Sequence, residues 1–417
     1  MILTDTETAI LSGETGTRGD QMALEIVVET ARMLGATQLI AIESGHIDGC
    51  LYHGDSGVLY CERLAAEGAR VKVPATTNVG ALNLLKVDQS RLPTEQRKMA
   101  YRLMVAHERM GCAPSWTCAP YQAGSRPHLG QQVAWGESNA VAFANTVLGA
   151  RTNRYGDFLD IACAISARAP CYGLHIAQNR VAQLLIDVTG LPLRMLGEDA
   201  FFPVLGAMIG HLAGSSVCVV GGMPNGATDD QLKALCAGAA STGAVALIHI
   251  AGITPEAPDV ATALGGQPAK ETVKLTAEMV KTARDRLSLA KDGPIDSVAL
   301  GSPHFSAAEC RAVLKFAQGR NFRVPVYICL GRHSLAELQG DGTDTDLRSL
   351  GVEFVVDTCV VVTPVLPPDP GIMMTNSAKF AHYATGNTGH VPVFGTLSEC
   401  VRSAQAGTVV RDTTLWG

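Results

Sequence analysis

The 417-residue chain is 47% hydrophobic and 17% charged, with a formal net charge of -6 and a mean hydropathy of +0.16. That acidic balance excludes general nucleic-acid binding, and no apolar run reaches the roughly 18–20 residues of a membrane helix. The start, Met1-Ile2-Leu3-Thr4-Asp5, lacks a basic-then-apolar leader, so a cytoplasmic protein is expected, and its 12 cysteines are thiols, metal ligands or nucleophiles rather than disulfides.

In chain order, Leu3-Thr4-Asp5 with Glu7 starts a helix, and Gly19 to Leu34 reads as an amphipathic helix ended by Gly35. Gln38 to Ile42 is a short strand. The polar cluster from Glu43 to Cys50, with Ser44 and His46, is expected as the loop at its carboxyl end, where open α/β sheets place ligands. Helix Ser56 to Glu67, strand Arg70 to Val73, a second polar loop from Pro74 to Gly80 and a charged helix Asp88 to Arg109 follow.

The stretch from Cys112 to Arg154 combines Cys112 and Cys118, each followed by Ala-Pro, with Glu137, Asn139, Asn153, Arg151 and Arg154. Soft thiols beside anion-binding side chains point to a metal or cluster facing an acidic small molecule. Asn139 to Val147 reads as a helix with Glu137 and Ser138 at its amino end; an ordinary N-cap is the alternative for Ser138. Helix Leu159 to Ala167 ends at Arg168-Ala169-Pro170, and Tyr172-Gly173-Leu174-His175 with Arg180 forms another polar cluster.

From about Ser215 strands alternate with helices. Strands are expected at Val217–Val220, Ala244–Ile250, Ser297–Leu300, Val324–Leu330 and Phe354–Val361. Helices are expected at Asp229–Ala239, Lys270–Leu289, Ser306–Gln318 and Leu335–Asp341. The alternation predicts a doubly wound, mostly parallel sheet over 211–365, with small and polar residues such as Gly301-Ser302-Pro303-His304 at its active edge. Residues 1–210 form a first α/β region, completed by 366–417. Gly221-Gly222 is not a dinucleotide fingerprint and no phosphate loop occurs, so a nucleotide-dependent enzyme has no support. Thr375, Asn376, Ser377 and Lys379 begin a helix that offers N–H groups and a cation to an anion, and Gly395 to Ala406 is a last helix.

Taken together, Glu43–Tyr52, Thr117–Tyr121, Ala134–Asn153, Tyr172–Arg180, Gly301–His304, Asp357–Cys359 and Met374–Tyr383 resemble the aconitase X family, specifically its large subunit or catalytic large domain. The resemblance implies an aconitase-like arrangement of α/β/α layers around a central cleft, closed by a small swivelling domain that is a separate partner subunit in split members. It implies a hydro-lyase acting on a small carboxylate: cis-3-hydroxy-L-proline, giving Δ1-pyrroline-2-carboxylate, with mevalonate 5-phosphate as the alternative. A metal-free aconitase-like binding or regulatory subunit is the alternative of another class. The family's iron–sulfur cluster carries over onto Cys118 and Cys359, but its third cysteine is Ser302 here, a harder ligand. An iron–sulfur cluster or mononuclear iron is therefore expected, with Cys112 as the nearest spare. Ser44, His46, Glu137 and His175 are the catalytic candidates; Arg151, Asn153, Arg154, Arg168, Thr375, Asn376, Ser377 and Lys379 are the substrate-binding ones. The family's suspected base, a serine of the swivelling domain, lies off this chain.

Overall fold

A computed structural model describes residues 1–412 together with Thr414 and Trp416; residues 413, 415 and 417, the last of the tail segment 366–417, lie outside the described residues. The chain forms two compact units, 1–82 with 92–181, and 83–91 with 182–417.

The first unit contains α1 (Asp5–Ser12), α2 (Arg18–Met33), β1 (Leu39–Ala41), β2 (Ser44–Ile47), α3 (Asp55–Ala66) and β3 (Ala75–Thr77). It continues with α4 (Thr94–Arg109), β4 (Val133–Trp135), α5 (Ser138–Thr146), α6 (Leu159–Ser166) and β5 (Arg168–Pro170). Helix α2 starts at a capping box, in which Thr17 accepts from the Asp20 N–H and Asp20 accepts from the Thr17 N–H. Its buried stripe of Ala23, Leu24, Val27, Val28 and Ala31 follows the 3.6-residue period. Helix α4 begins only at Thr94, after Pro93, because proline disfavours a helical residue before it. The helix expected from Asp88 is thereby shortened, and Val87–Gln89 is a separate 3₁₀ turn.

Two sequence expectations shift here. Gln38–Ile42 supplies β1, which pairs antiparallel with β5, and the cluster after it is not a loop: Ser44–Ile47 is β2, the centre of the parallel sheet β3-β2-β4. Polar side chains hid this strand, although His46 finds a lateral partner in Thr76. The next strand is Ala75–Thr77 rather than Arg70–Val73.

The second unit begins with β6 (Leu184–Asp187), α7 (Leu193–Leu196), α8 (Phe201–Ala213), β7 (Cys218–Gly221) and α9 (Asp229–Thr242). Then come β8 (Ile248–Ile250), α10 (Val260–Ala263), β9 (Glu271–Lys274) and α11 (Ala277–Arg286). These four strands form a parallel sheet in the order β8-β7-β6-β9. Helices α8 and α9 cross backbone to backbone: a Cβ on Gly206 would lie 2.2 Å from the Leu235 carbonyl oxygen, so only glycine fits. The single helix expected over Lys270–Leu289 is strand β9 followed by α11; β9 is an exposed edge strand, which masks its period.

The rest of this unit is β10 (Ser297–Phe305), α12 (Ala307–Ala317), β11 (Val326–Leu330), α13 (Arg332–Asp341), α14 (Thr343–Ser349) and β12 (Val352–Val356). It ends with β13 (Ile372–Thr375), α15 (Ala378–Thr388), β14 (Val391–Phe394) and α16 (Leu397–Ala406). All pairings are parallel in the order β12-β11-β10-β13-β14. This is the doubly wound sheet, with its order reversing between β10 and β13. It differs from the expected 211–365 domain in two ways. Strands β7 and β8 belong to another sheet, and β13 and β14 bring the tail segment 366–417 into this one rather than to residues 1–210. Apolar runs show that strands exist but not which neighbour each will take.

Candidate active site

In the first unit, β2 pairs Gly45, His46 and Ile47 with Ala75, Thr76 and Thr77 of β3, and Ser44, Gly45 and His46 with Val133, Ala134 and Trp135 of β4. The three strands thus end together, delivering Asp48, Asn78 and Gly136-Glu137 to one edge. His46 is fully buried; its Nδ1 lies 2.8 Å from Thr76 Oγ1, and its Nε2 has no partner. In the tautomer with the proton on Nδ1, where Thr76 Oγ1 accepts it and donates to the Gly45 carbonyl at 3.5 Å, Nε2 is a bare acceptor. Burial lowers the His46 pKa to about 4, while the nearby Glu137 carboxylate works in the opposite direction.

Glu137 is the N-cap of α5: its Oε2 accepts from the Ala140 N–H at 2.7 Å and its Oε1 from Ser138 Oγ at 3.1 Å. One residue into that helix, buried Asn139 donates through Nδ2 to the Cys118 carbonyl at 3.2 Å and to the Tyr121 hydroxyl oxygen at 2.9 Å. Its Oδ1 has no partner. Asn78 donates through Nδ2 to Asp48 Oδ1, and its own Oδ1 is likewise buried and unmet. The N–H groups of Asp48 and Gly49 donate to Asp160 Oδ2 at 2.6 and 3.0 Å. Asp160 is completely buried, and desolvation pushes its pKa up to about 7. Each unmet buried polar group costs about 1–3 kcal/mol, so His46 Nε2, Asn78 Oδ1 and Asn139 Oδ1, with the unmet Trp135 Nε1 donor among them, mark an edge with unused hydrogen-bonding capacity.

The other end of the same sheet differs. Ser44 opens β2 there, half-buried, and Gln132 bridges to Arg151 beside it. His175 is held by Gln132 Oε1 at 2.6 Å and by the Tyr155 hydroxyl, and burial together with Arg180 and Arg151 lowers its pKa to about 4. Asn153 donates to the Tyr172 carbonyl at 3.0 Å and accepts from the Leu174 N–H at 2.8 Å. Buried Arg180 donates to carbonyls of Asn145, Leu174 and Ala150. Arg151 keeps an unmet Nε and Arg154 is exposed. At about 3.3 Å per residue, four-residue β2 separates Ser44 from the carboxyl edge by about 10 Å. The sequence therefore grouped residues that the strand splits. Arg168 belongs to neither end: its Nε donates to Glu7 Oε1 at 2.7 Å, and Glu7 closes the capping box of α1, so the structure engages Arg168 in bracing α1.

In the second unit, Ser302, Asn376 and Ser377 meet where the doubly wound sheet reverses its order. Ser377 caps α15, accepting from the Phe380 N–H at 3.0 Å, and its Oγ donates to the Ser302 carbonyl. Thr375 Oγ1 accepts from the Ser377 N–H at 3.2 Å, so both hydroxyls serve the backbone instead of an anion. Ser302, Asn376 and Ser377 line a cavity of about 30 Å³ beside Lys233 and Glu309. Lys233 is 1% exposed and donates to Asp230 Oδ1 at 2.8 Å, to Glu309 and to the His304 carbonyl at 3.1 Å. His304, its pKa lowered to about 3 by burial, lies 3.1 Å through Nε2 from the Thr358 carbonyl. Half-buried Lys379 adds to that lowering. Next to Cys359, Asp357 sits at φ 65° and takes a bidentate pair of 2.7 Å bonds from Arg332. A larger cavity of about 560 Å³ in this unit, between Met208, His211, Met279 and His382, contains none of these residues.

Three family models cover this chain: aconitase X first domain over 1–178, second domain over 182–285 and third domain over 295–406. The cis-3-hydroxy-L-proline dehydratase of Pseudomonas aeruginosa is 40% identical, over 96% of this chain and 69% of its own length. The chain belongs to the aconitase X family. The same-named enzyme of Hypocrea jecorina is 39% identical over 97% of this chain and 69% of its length. The phosphomevalonate dehydratase large subunit of Methanothermobacter thermautotrophicus is 34% identical over 95% of this chain and 97% of its length. The crystal structure of Thermococcus kodakaraensis aconitase X (holo-form) matches with a TM-score of 0.86 at 30% identity, covering 97% of this chain and 100% of that one.

Within this aconitase X chain, the donor set does not fit a three-thiolate cluster. Position 302 offers an alcohol, and among the described residues no three His, Cys, Asp or Glu side chains are grouped to hold a metal ion. Cys112 packs in the first unit's core, where burial pushes its thiol to about 12. The sequence reading missed Asp160 and Lys233; Asp160 heads the apolar run Ile161 to Ile165, and Lys233 follows its own partner Asp230 by three positions on a helix.

Proposed function

We propose that this chain is the large catalytic subunit of a hydro-lyase converting cis-3-hydroxy-L-proline to Δ1-pyrroline-2-carboxylate. The observation carrying the reading is the set of unmet acceptors at the carboxyl ends of β2, β3 and β4, with neutral His46 among them. Support for the substrate comes from the higher identity to the two hydroxyproline dehydratases than to the phosphomevalonate large subunit. In the reaction the C2–H bond breaks, C2=C3 forms, the C3–O bond breaks and the oxygen leaves as water; the resulting enamine then loses its N–H proton and gains one at C3, giving the C2=N bond of Δ1-pyrroline-2-carboxylate. His46 Nε2 is the chain's own proton acceptor, relaying the C2 proton towards the leaving hydroxyl, and the Glu137 carboxylate stabilises the imidazolium formed on the way. In the second unit, Asn376 and Lys379 at the amino end of α15 are the proposed anion-binding groups.

The name of the archaeal relatives supports a short partner chain, which we propose carries the swivelling domain and the remaining base. The cofactor expectation reduces to iron in a form other than a three-thiolate cluster. A cytoplasmic location remains a proposal; no helix among the described residues is long and apolar enough to cross a membrane. The test is to offer cis-3-hydroxy-L-proline and mevalonate 5-phosphate in turn to the protein purified with its co-purifying short chain. Consumption of the first alone is expected; turnover of the second alone replaces the substrate, and turnover of neither removes the reading.

A further inference from the structure

Asn78 and Asp48 carry an inference that rests on the hydroxyproline reading and sharpens it. Asp48 leaves the end of β2 and Asn78 the end of β3, side by side because those strands pair in register from Gly45–Ala75 to Ile47–Thr77. The Asn78 amide turns its NH2 to Asp48 Oδ1 and its oxygen the other way. That oxygen is buried, in a residue 3% exposed, and has no partner. Asp48 itself is held from behind, because its N–H and that of Gly49 donate to Asp160. It is half-buried, which leaves an approach from solvent.

The charged group bonded to this amide is a carboxylate, Asp48, which also raises the pKa values of Cys50 and Asp160, and Glu137 acts on His46. A buried acceptor in such a field is matched to a cationic N–H donor and mismatched to a phosphate. Cis-3-hydroxy-L-proline carries a ring ammonium next to the carbon that loses its proton; mevalonate 5-phosphate has no N–H group and brings additional negative charge. We propose that Asn78, oriented by Asp48, is the specificity-determining acceptor for the substrate's ring ammonium.

The experiment compares two unreactive ring ligands by calorimetry on the purified complex: L-proline, and (S)-tetrahydrofuran-2-carboxylate, in which a ring oxygen replaces the ammonium. A hydrogen bond to a charged donor corresponds to roughly 10- to 150-fold in affinity, so wild type should prefer L-proline by at least about tenfold. In Asn78→Ala the preference should fall to about threefold or less, with KM for cis-3-hydroxy-L-proline rising more than kcat falls. Asp48→Asn, at a half-buried position, lets the Asn78 amide turn over and should erode the same preference; it carries the test should Asn78→Ala not fold. A preference unchanged in the folded variants overturns the proposal. Wild-type turnover of cis-3-hydroxy-L-proline is read separately, so loss of this inference is distinguishable from loss of the function on which it rests.

Discussion

The carboxyl ends of β2–β4 in the first unit and the reversal point of the doubly wound sheet in the second are both places where parallel sheets present ligands. Their polar interiors differ in degree, since the second edge holds an unmet atom, His333 Nε2, beside an otherwise paired network. At the reversal point Lys233, His304, Asp357, Thr358 and Ser377 all have internal partners. At the strand ends of the first unit His46, Asn78 and Asn139 each keep an acceptor with none. The difference teaches that burial of polar residues does not by itself mark a site. Satisfied groups fix a backbone, whereas unsatisfied ones hold capacity for a ligand at a cost in stability.

The sharpest way to break this contrast is Lys233→Met. Removing an ammonium that is 1% exposed leaves Asp230 and Glu309 facing each other uncompensated. The loss should be about 3–5 kcal/mol in urea unfolding; a loss below about 1 kcal/mol would mean that the network is not the strut described here.

Acid titration probes the first unit. Burial lowers His46, His107 and His175 to about 4 from 6.5, so between those values the unfolded chain binds protons that the folded chain refuses. Each histidine therefore withdraws stability as pH falls through this window, by up to about 1.4 kcal/mol per pH unit. Asp160 runs the other way: raised to about 7 from 3.8, it is easier to bury as pH falls. Three groups against one predict net weakening from about pH 6.5 towards 4, with a steeper slope in wild type than in His107→Phe. Equal slopes would remove the buried neutral imidazole from the account.

The smallest effect is expected at Arg168. Its pair with Glu7 is about a third exposed on the arginine side, so Arg168→Met should cost about 1 kcal/mol or less in thermal unfolding. KM should not move, because the side chain braces α1. A several-fold rise in KM would return Arg168 to the substrate-binding set.

Much of the fold was legible because helix caps and apolar strands are local. Thr17 with Asp20, Ser306 with Glu309 and Thr396 with Glu399 each write a helix start within four residues. Strand partners were not legible: nothing near Ile372 says that β13 pairs with β10 some seventy residues earlier. At the site, His46 and Glu137 could be picked out as polar groups in apolar surroundings. The separation of Ser44, Arg151, Asn153 and His175 from them could not, since it follows from which end of β2 each residue meets. Asp160 was overlooked because its partners, Asp48 and Gly49, lie more than a hundred positions away.

His46→Phe tests the central claim most directly, with turnover of cis-3-hydroxy-L-proline and urea unfolding measured on the same preparation. Because Nε2 has no partner in the folded chain, stability should change by less than about 1.5 kcal/mol, the loss of one internal hydrogen bond to Thr76. Because that atom is the proposed proton acceptor, kcat should fall by roughly 10²–10⁴. Unfolding with activity retained in the folded fraction would contradict the account.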